Sequence, residues 1–217
     1  MKKVPAMIKV CGMTDGKNIR EVEQTGIDWM GFIFYDKSPR YVKKKPSYLP
    51  VNAKRVGVFV NADIQEILLQ TKEYALDYVQ LHGEESPHYC ATLKNAGCHV
   101  IKAFSVASAE DVLATAEYED TAEFFLFDTK TPAYGGSGQS FDKSLLQYYH
   151  GQTPFFLSGG IGLHNIVEIM QFSHPLLAGY DLNSQFEIVP GIKDIDKILT
   201  FIEKLKTKQY EQNQSII

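Results

Sequence analysis

Short apolar runs recur along the whole chain, each followed by polar turn residues and then by a stretch whose apolar positions return every three or four residues. That alternation is the pattern of successive strand, turn and helix units. Strands are predicted over 7–12, 29–34, 55–60, 78–83, 99–106, 124–129, 155–160 and 177–182. Helices are predicted over 18–25, 64–74, 87–96, 109–116, 141–149, 165–172 and 195–205. The second helix is expected to be abbreviated. Its region, 46–52, contains Pro46 and Pro50, and a proline disfavours helical geometry at the residue before it, so one turn is the most expected there.

Eight near-continuous apolar strands separated by crossover helices suit an all-parallel sheet buried on both faces. A doubly wound open sheet shows the same alternation, but eight regular units favour closure. The expected fold is therefore α/β, a single (β/α)8 TIM barrel of eight parallel strands occupying 1–205. The polar tail 206–217 is expected to fray. No internal duplication and no Gly/Ser/Pro linker divides the chain into halves.

Composition narrows the partners. At 217 residues, 44% hydrophobic and 22% charged, with a formal charge of -4, the chain offers no broad basic surface for nucleic acid or an anionic membrane. The odd set Cys11, Cys90 and Cys98 makes no paired framework and fits a reducing compartment, so a cytoplasmic location is expected. Pro5 and Lys9 interrupt any signal-peptide apolar core, and no apolar run reaches the length of a membrane span.

In a parallel barrel the chemistry gathers at the carboxyl ends of the strands, where eight loops converge. The residues expected there are Cys11, Asp36 with Arg40, Asn61, His82, Asp128, Gly159-Gly160, and Asp181 with Asn183 and Ser184. Cys11 is open to two readings: a thiolate base or nucleophile near a helix N-terminus, or a small buried hydrophobe. Asp128 ends the apolar run Phe124-Phe-Leu-Phe127, where burial favours the neutral carboxyl that a general acid needs; it could equally cap the following turn. Asp181 has the same two readings.

Of three arginines, Arg20 falls in a helix and Arg55 opens a strand, which leaves Arg40 as the expected clamp for a carboxylate. Gly159-Gly160 let backbone N–H groups approach a phosphate. Ser184-Gln-Phe-Glu187 has the spacing of a capping box that would start a phosphate-binding helix. Gly136-Ser-Gly138 lacks the third glycine of a dinucleotide fingerprint and reads instead as a loop that closes over substrate, or an ordinary turn. His82, His88 and His99 with Cys90 and Cys98 match no zinc spacing, so no metal is assigned. His82 is expected to line the mouth.

Ile8-Lys-Val-Cys-Gly-Met-Thr14, Ser38-Pro-Arg-Tyr-Val42, Val79-Gln-Leu-His-Gly83, Asp128, Tyr134-Gly-Gly-Ser-Gly138, Leu157-Ser-Gly-Gly-Ile161 and Pro190-Gly-Ile-Lys-Asp194 together resemble the phosphoribosylanthranilate isomerase family nearly end to end. The resemblance implies a cofactor-free Amadori rearrangement of a small sugar-phosphate substrate in tryptophan biosynthesis, by a monomer or homodimer. It implies Asp128 as general acid, Cys11 as general base, Arg40 on the anthranilate carboxylate, and Gly159, Gly160, Asn183 and Ser184 on the phosphate. A histidine-pathway isomerase performs the same rearrangement with two aspartates, and Cys11 argues against it. The chain departs from the family's D-V-S-S-G-V-E at Asp181-Leu-Asn-Ser-Gln-Phe-Glu187, where Gln185 replaces glycine.

Overall fold

A computed structural model describes residues 6–129 and 142–214, with side chains through 207. Eight parallel strands close into a barrel in chain order: β1 (Met7–Val10), β2 (Trp29–Ile33), β3 (Lys54–Phe59), β4 (Tyr78–Leu81), β5 (Val100–Val106), β6 (Phe124–Thr129), β7 (Phe155–Leu157) and β8 (Leu177–Leu182). Closure is made by β8 pairing with β1, with Lys9 opposite Asp181. A short antiparallel hairpin of β9 (Glu187–Val189) and β10 (Ile192–Lys193) follows.

The helices on the outside are α1 (Gly16–Gln24), α2 (Ile64–Tyr74), α3 (Pro87–Asn95), α4 (Ala109–Leu113), α5 (Ile166–Gln171) and α6 (Ile195–Gln214). Their starts follow from capping side chains. Asp15 accepts the N–H of Asn18, Ser86 accepts that of Tyr89 ahead of Pro87, and Ser108 with Asp111 forms a reciprocal capping box. The segment expected as a helix over 141–149 is instead a 3-10 helix, Lys143–Tyr148. Helix α6 continues past 205 to Gln214, because the polar stretch there contains no glycine or proline to stop backbone hydrogen bonding.

No helix forms between β2 and β3, within the expectation of one turn at most. Besides the two prolines, a carboxylate from outside the segment takes its backbone donors. Glu23 on α1 accepts from the N–H groups of Val51 and Asn52, each at 2.6 Å, and of Ala53 at 3.2 Å, and also from the Tyr48 hydroxyl. Donors held by that carboxylate are unavailable to an intrahelical ladder. Arg20 stacks over Tyr48, and Arg55 donates to the carbonyls of Pro50 and Tyr74, so both arginines are structural here.

Period-two alternation decides what faces the barrel axis. Trp29, Val56, Ile101, Ala103, Leu126 and Phe156 fill the interior, with Met7, Tyr78 and Phe124 packed at one end. Counting in twos from Met7 gives Lys9 and Cys11, from Tyr78 gives Gln80 and His82, and from Phe124 gives Leu126 and Asp128. The apolar plug and the reactive groups are thus successive layers of one inner face. The opposite faces of the strands pack on the helices in a separate larger core that includes Val10, Phe32, Phe127 and Phe201.

Candidate active site

A cleft of about 870 Å³, open to solvent, lies at the carboxyl ends of the strands. Cys11, Arg40, His82, Asp128, Gly159, Gly160, Asp181, Asn183 and Ser184 all line it, together with Ile33, Tyr35, Gln80 and Gln185. Asn61 does not line it. Its side-chain oxygen accepts the N–H of Glu84, and its own N–H donates to Glu85.

Cys11 follows β1 directly and is 3% exposed. Its sulfur occupies space left by Gly31 on β2, where a Cβ would come within 2.7 Å of Sγ. Burial pushes the thiol above its ordinary value, Lys9 and Lys193 pull it down, and Asp181 pushes it up. Asp128 ends β6. Its Oδ1 accepts the N–H of Thr129 at 2.8 Å, and its Oδ2 lies 3.5 Å from Nε2 of His82. The Gln80 amide lies 2.9 Å from His82 Nδ1, which fixes the ring with its Nε2 edge toward Asp128.

Gly159 is constrained by more than backbone approach to a ligand. Its φ is +82°, and a Cβ there would sit 2.2 Å from Thr129 Oγ1 and 2.9 Å from Asp128 Oδ1. Gly159→Ala is expected to displace the Asp128 carboxylate and to lower kcat by at least ~10-fold, since small misplacements of a reacting group are costly. Steady-state kinetics with a melting curve checks this, and unchanged kcat in a folded variant removes the constraint.

Gly159 and Gly160 both have positive φ. Among the described residues their N–H groups make no hydrogen bond, and neither do those of Ser184 and Gln185. Four backbone donors therefore remain for an anion at this side of the cleft.

The capping box expected at Ser184 and Glu187 does not form. Ser184–Phe186 is a 3-10 turn without a side-chain cap, and Glu187 turns inward to accept from Arg40 through Nε at 2.8 Å and Nη2 at 2.6 Å, and from Lys193 Nζ at 2.8 Å. Arg40 therefore enters the cleft as half of a buried bidentate pair, with Nη1 carrying no hydrogen bond among the described residues. Asn183 uses its Oδ1 to accept from Lys193 at 2.8 Å. Asp181 is 5% exposed and bonded to Lys9 at 2.8 Å, and burial pushes its carboxyl up against the pull of that lysine. Behind the lining of the cleft lie Lys9, Lys193 and Glu187, bonded to Asp181, Asn183 and Arg40, and the sequence reading does not assign them to the site. The available signal was a lysine inside an otherwise apolar strand.

The described residues hold no cluster able to bind a metal ion, and no helix among them is long and apolar enough to cross a membrane. The family model for N-(5'-phosphoribosyl)anthranilate (PRA) isomerase matches residues 8–204. The chain belongs to this family of isomerases. A curated relative from Phocaeicola vulgatus, N-(5'-phosphoribosyl)anthranilate isomerase, is 50% identical over 202 residues, covering 93% of this chain and 98% of that one. A crystal structure of phosphoribosyl anthranilate isomerase in complex with reduced 1-(o-carboxyphenylamino)-1-deoxyribulose 5-phosphate superposes with a TM-score of 0.77 at 32% identity, covering 93% of this chain and 99% of that one. A crystal structure of monomers generated from the dimeric enzyme of Thermotoga maritima gives 0.77 at 31% identity with the same coverage. Gln185 also lines the cleft, beside Ser184. The glycine-rich motif at 134–138 lies outside the described residues.

Proposed function

We propose that this protein isomerises N-(5'-phosphoribosyl)anthranilate to 1-(2-carboxyphenylamino)-1-deoxyribulose 5-phosphate in tryptophan biosynthesis, with Asp128 as general acid and Cys11 as general base. The observation that carries the assignment of roles is that a thiol from β1 and a carboxyl from β6 line one cleft. Asp128 protonates the furanose ring oxygen as its bond to C1′ breaks, and the anilino nitrogen supplies the electron pair that makes the iminium. Cys11 then takes the C2′ proton, the C–H electrons form the C1′–C2′ double bond, and an enolamine results. Return of a proton to C1′ with loss of one from the C2′ hydroxyl gives the ketone.

Binding follows the polarity of the cleft. The phosphate is held by the four free N–H groups around Gly159, Gly160, Ser184 and Gln185, and the anthranilate carboxylate by Arg40 through the edge that Glu187 leaves open. His82 orients Asp128. Asp181 and Asn183 act beneath the substrate rather than on it, since their side chains are bonded to buried lysines. A homodimer fits the family, and a cytoplasmic setting fits the free thiols.

The deciding assay adds purified protein to freshly made phosphoribosylanthranilate and follows loss of its fluorescence. Turnover supports the reading, and a silent protein that still binds sugar phosphates would replace it with a ligand-sensing role. Arg40→Ala is expected to raise KM by ~10-fold or more with a smaller drop in kcat, because the carboxylate is remote from both proton transfers. An unchanged KM removes Arg40 from substrate binding.

A further inference from the structure

Two lysines with no exposed surface, Lys9 and Lys193, flank Cys11 from β1 and β10. Burying two ammonium groups in a barrel is costly, and a well-packed apolar pair would close β1 on β8 at least as well as Lys9 and Asp181 do. Their presence calls for a reason other than stability. The ammonium of Lys9 bonds Asp181 Oδ1 at 2.8 Å, and Lys9 stands two residues before Cys11 on the same inward face of the barrel. Lys193 bonds Glu187 at 2.8 Å, and Glu187 also receives the Arg40 fork. Two separate ion-pair groups thus lie beside Cys11: Lys9 with Asp181, and Lys193 with Glu187 and Arg40.

We propose that Lys9 is a positioning residue for Cys11, its buried ammonium on the same inward face favouring the thiolate form against the cost of burial. This rests on the reading of Cys11 as the base. The charged groups facing the sulfur are Lys9 from β1, Asp181 from β8 and Lys193 from β10, while β2 offers only Gly31. Beyond them, Arg40 and Glu187 are joined to Lys193, and His82 with Asp128 acts on Asp181. A thiol buried to this depth stays protonated unless a nearby cation offsets desolvation. Asp181 has the opposite sign: it tethers Lys9 and at the same time opposes the thiolate. The two substitutions that remove one charge each therefore move the thiol in opposite directions, which a purely structural pair would not do.

The test is the pH midpoint of thiolate absorbance in the ultraviolet, taken for each full-length variant as the difference from the same variant carrying Cys11→Ser. Lys9→Met is expected to raise the midpoint by at least about one pH unit and to lower kcat/KM at neutral pH by ~10-fold or more, with Lys9→Arg restoring much of both. Asp181→Asn, which keeps size and shape, is expected to lower the midpoint. Midpoints that stay at the wild-type value, or that move the same way in both variants, overturn the proposal. If Lys9→Met does not fold, Asp181→Asn decides alone: a lowered midpoint supports it and an unchanged or raised one overturns it. Normal turnover by Cys11→Ser would instead overturn the reading of Cys11 as base, whereas an inactive Cys11→Ser beside an unmoved Lys9→Met midpoint removes only the role of Lys9.

Discussion

Cys11→Ser is expected to lower kcat by at least ~10²-fold with the fold intact, and Asp128→Asn to do the same, because each removes a proton carrier from a step that has no other. A serine hydroxyl fits the space that Gly31 leaves but is far too weak an acid to be ionised at neutral pH, so the C2′ proton has no acceptor. Asparagine keeps the shape of Asp128 and its contact with the Thr129 N–H, yet carries no proton to deliver to the ring oxygen. Neither site supports the barrel wall, so circular dichroism and melting should be close to wild type. The pH profile follows from the same group. Burial pushes the Cys11 thiol up, and a base acts only when deprotonated, so kcat/KM of the free enzyme rises with pH up to that raised value. Single-turnover measurement of either variant at near-normal rate would remove that residue from the mechanism.

The second large effect is on stability. Glu187→Gln is expected to cost about 3–5 kcal/mol, because it leaves the buried Arg40 and Lys193 without their shared counter-charge. For a domain of this size that is a fall in Tm on the order of 10 °C. Burial alone would raise the Glu187 carboxyl, but hydrogen bonds from Arg40 and Lys193 and the N–H of Gly191 outweigh it and hold the group below its ordinary value. Lys193 itself is pulled down by burial, with Glu187 opposing. A carboxylate depressed on folding contributes stability that is complete above its unfolded value, near ~4.3, and is lost as pH falls through the lower folded value. Wild type should therefore lose an increment of stability in acid that Glu187→Gln never had. Matching melting curves for the two proteins at neutral pH would show that the pair is not a keystone of the site.

What could be read in advance followed the physics of local pattern. Strand number, the parallel closed sheet and the placement of Cys11, His82 and Asp128 at strand ends follow from apolar runs alternating with helical spacing, because burial on both faces leaves an apolar run as its trace. The Ser184 and Glu187 spacing was misleading for a related reason: a capping box is a local motif, whereas Glu187 is claimed by Arg40, 147 positions away, and a bidentate charged contact outweighs a single cap bond. The absent second helix has the same cause, since Glu23 collects donors 28–30 positions along the chain.

Sequence by itself determined the barrel and set Cys11, Asp128 and Arg40 at or just beyond strand ends, because each lies in a motif of the series that runs in order through 8–194. Only the tertiary structure decided what surrounds them. The register of β1 on β8 sets Lys9 opposite Asp181, and the β9–β10 hairpin, tied to α1 by Asn18 and Lys193, brings a second lysine beneath Cys11. Charge balance in a buried site depends on distances between residues more than 170 positions apart in sequence, and chain order carries no record of those distances.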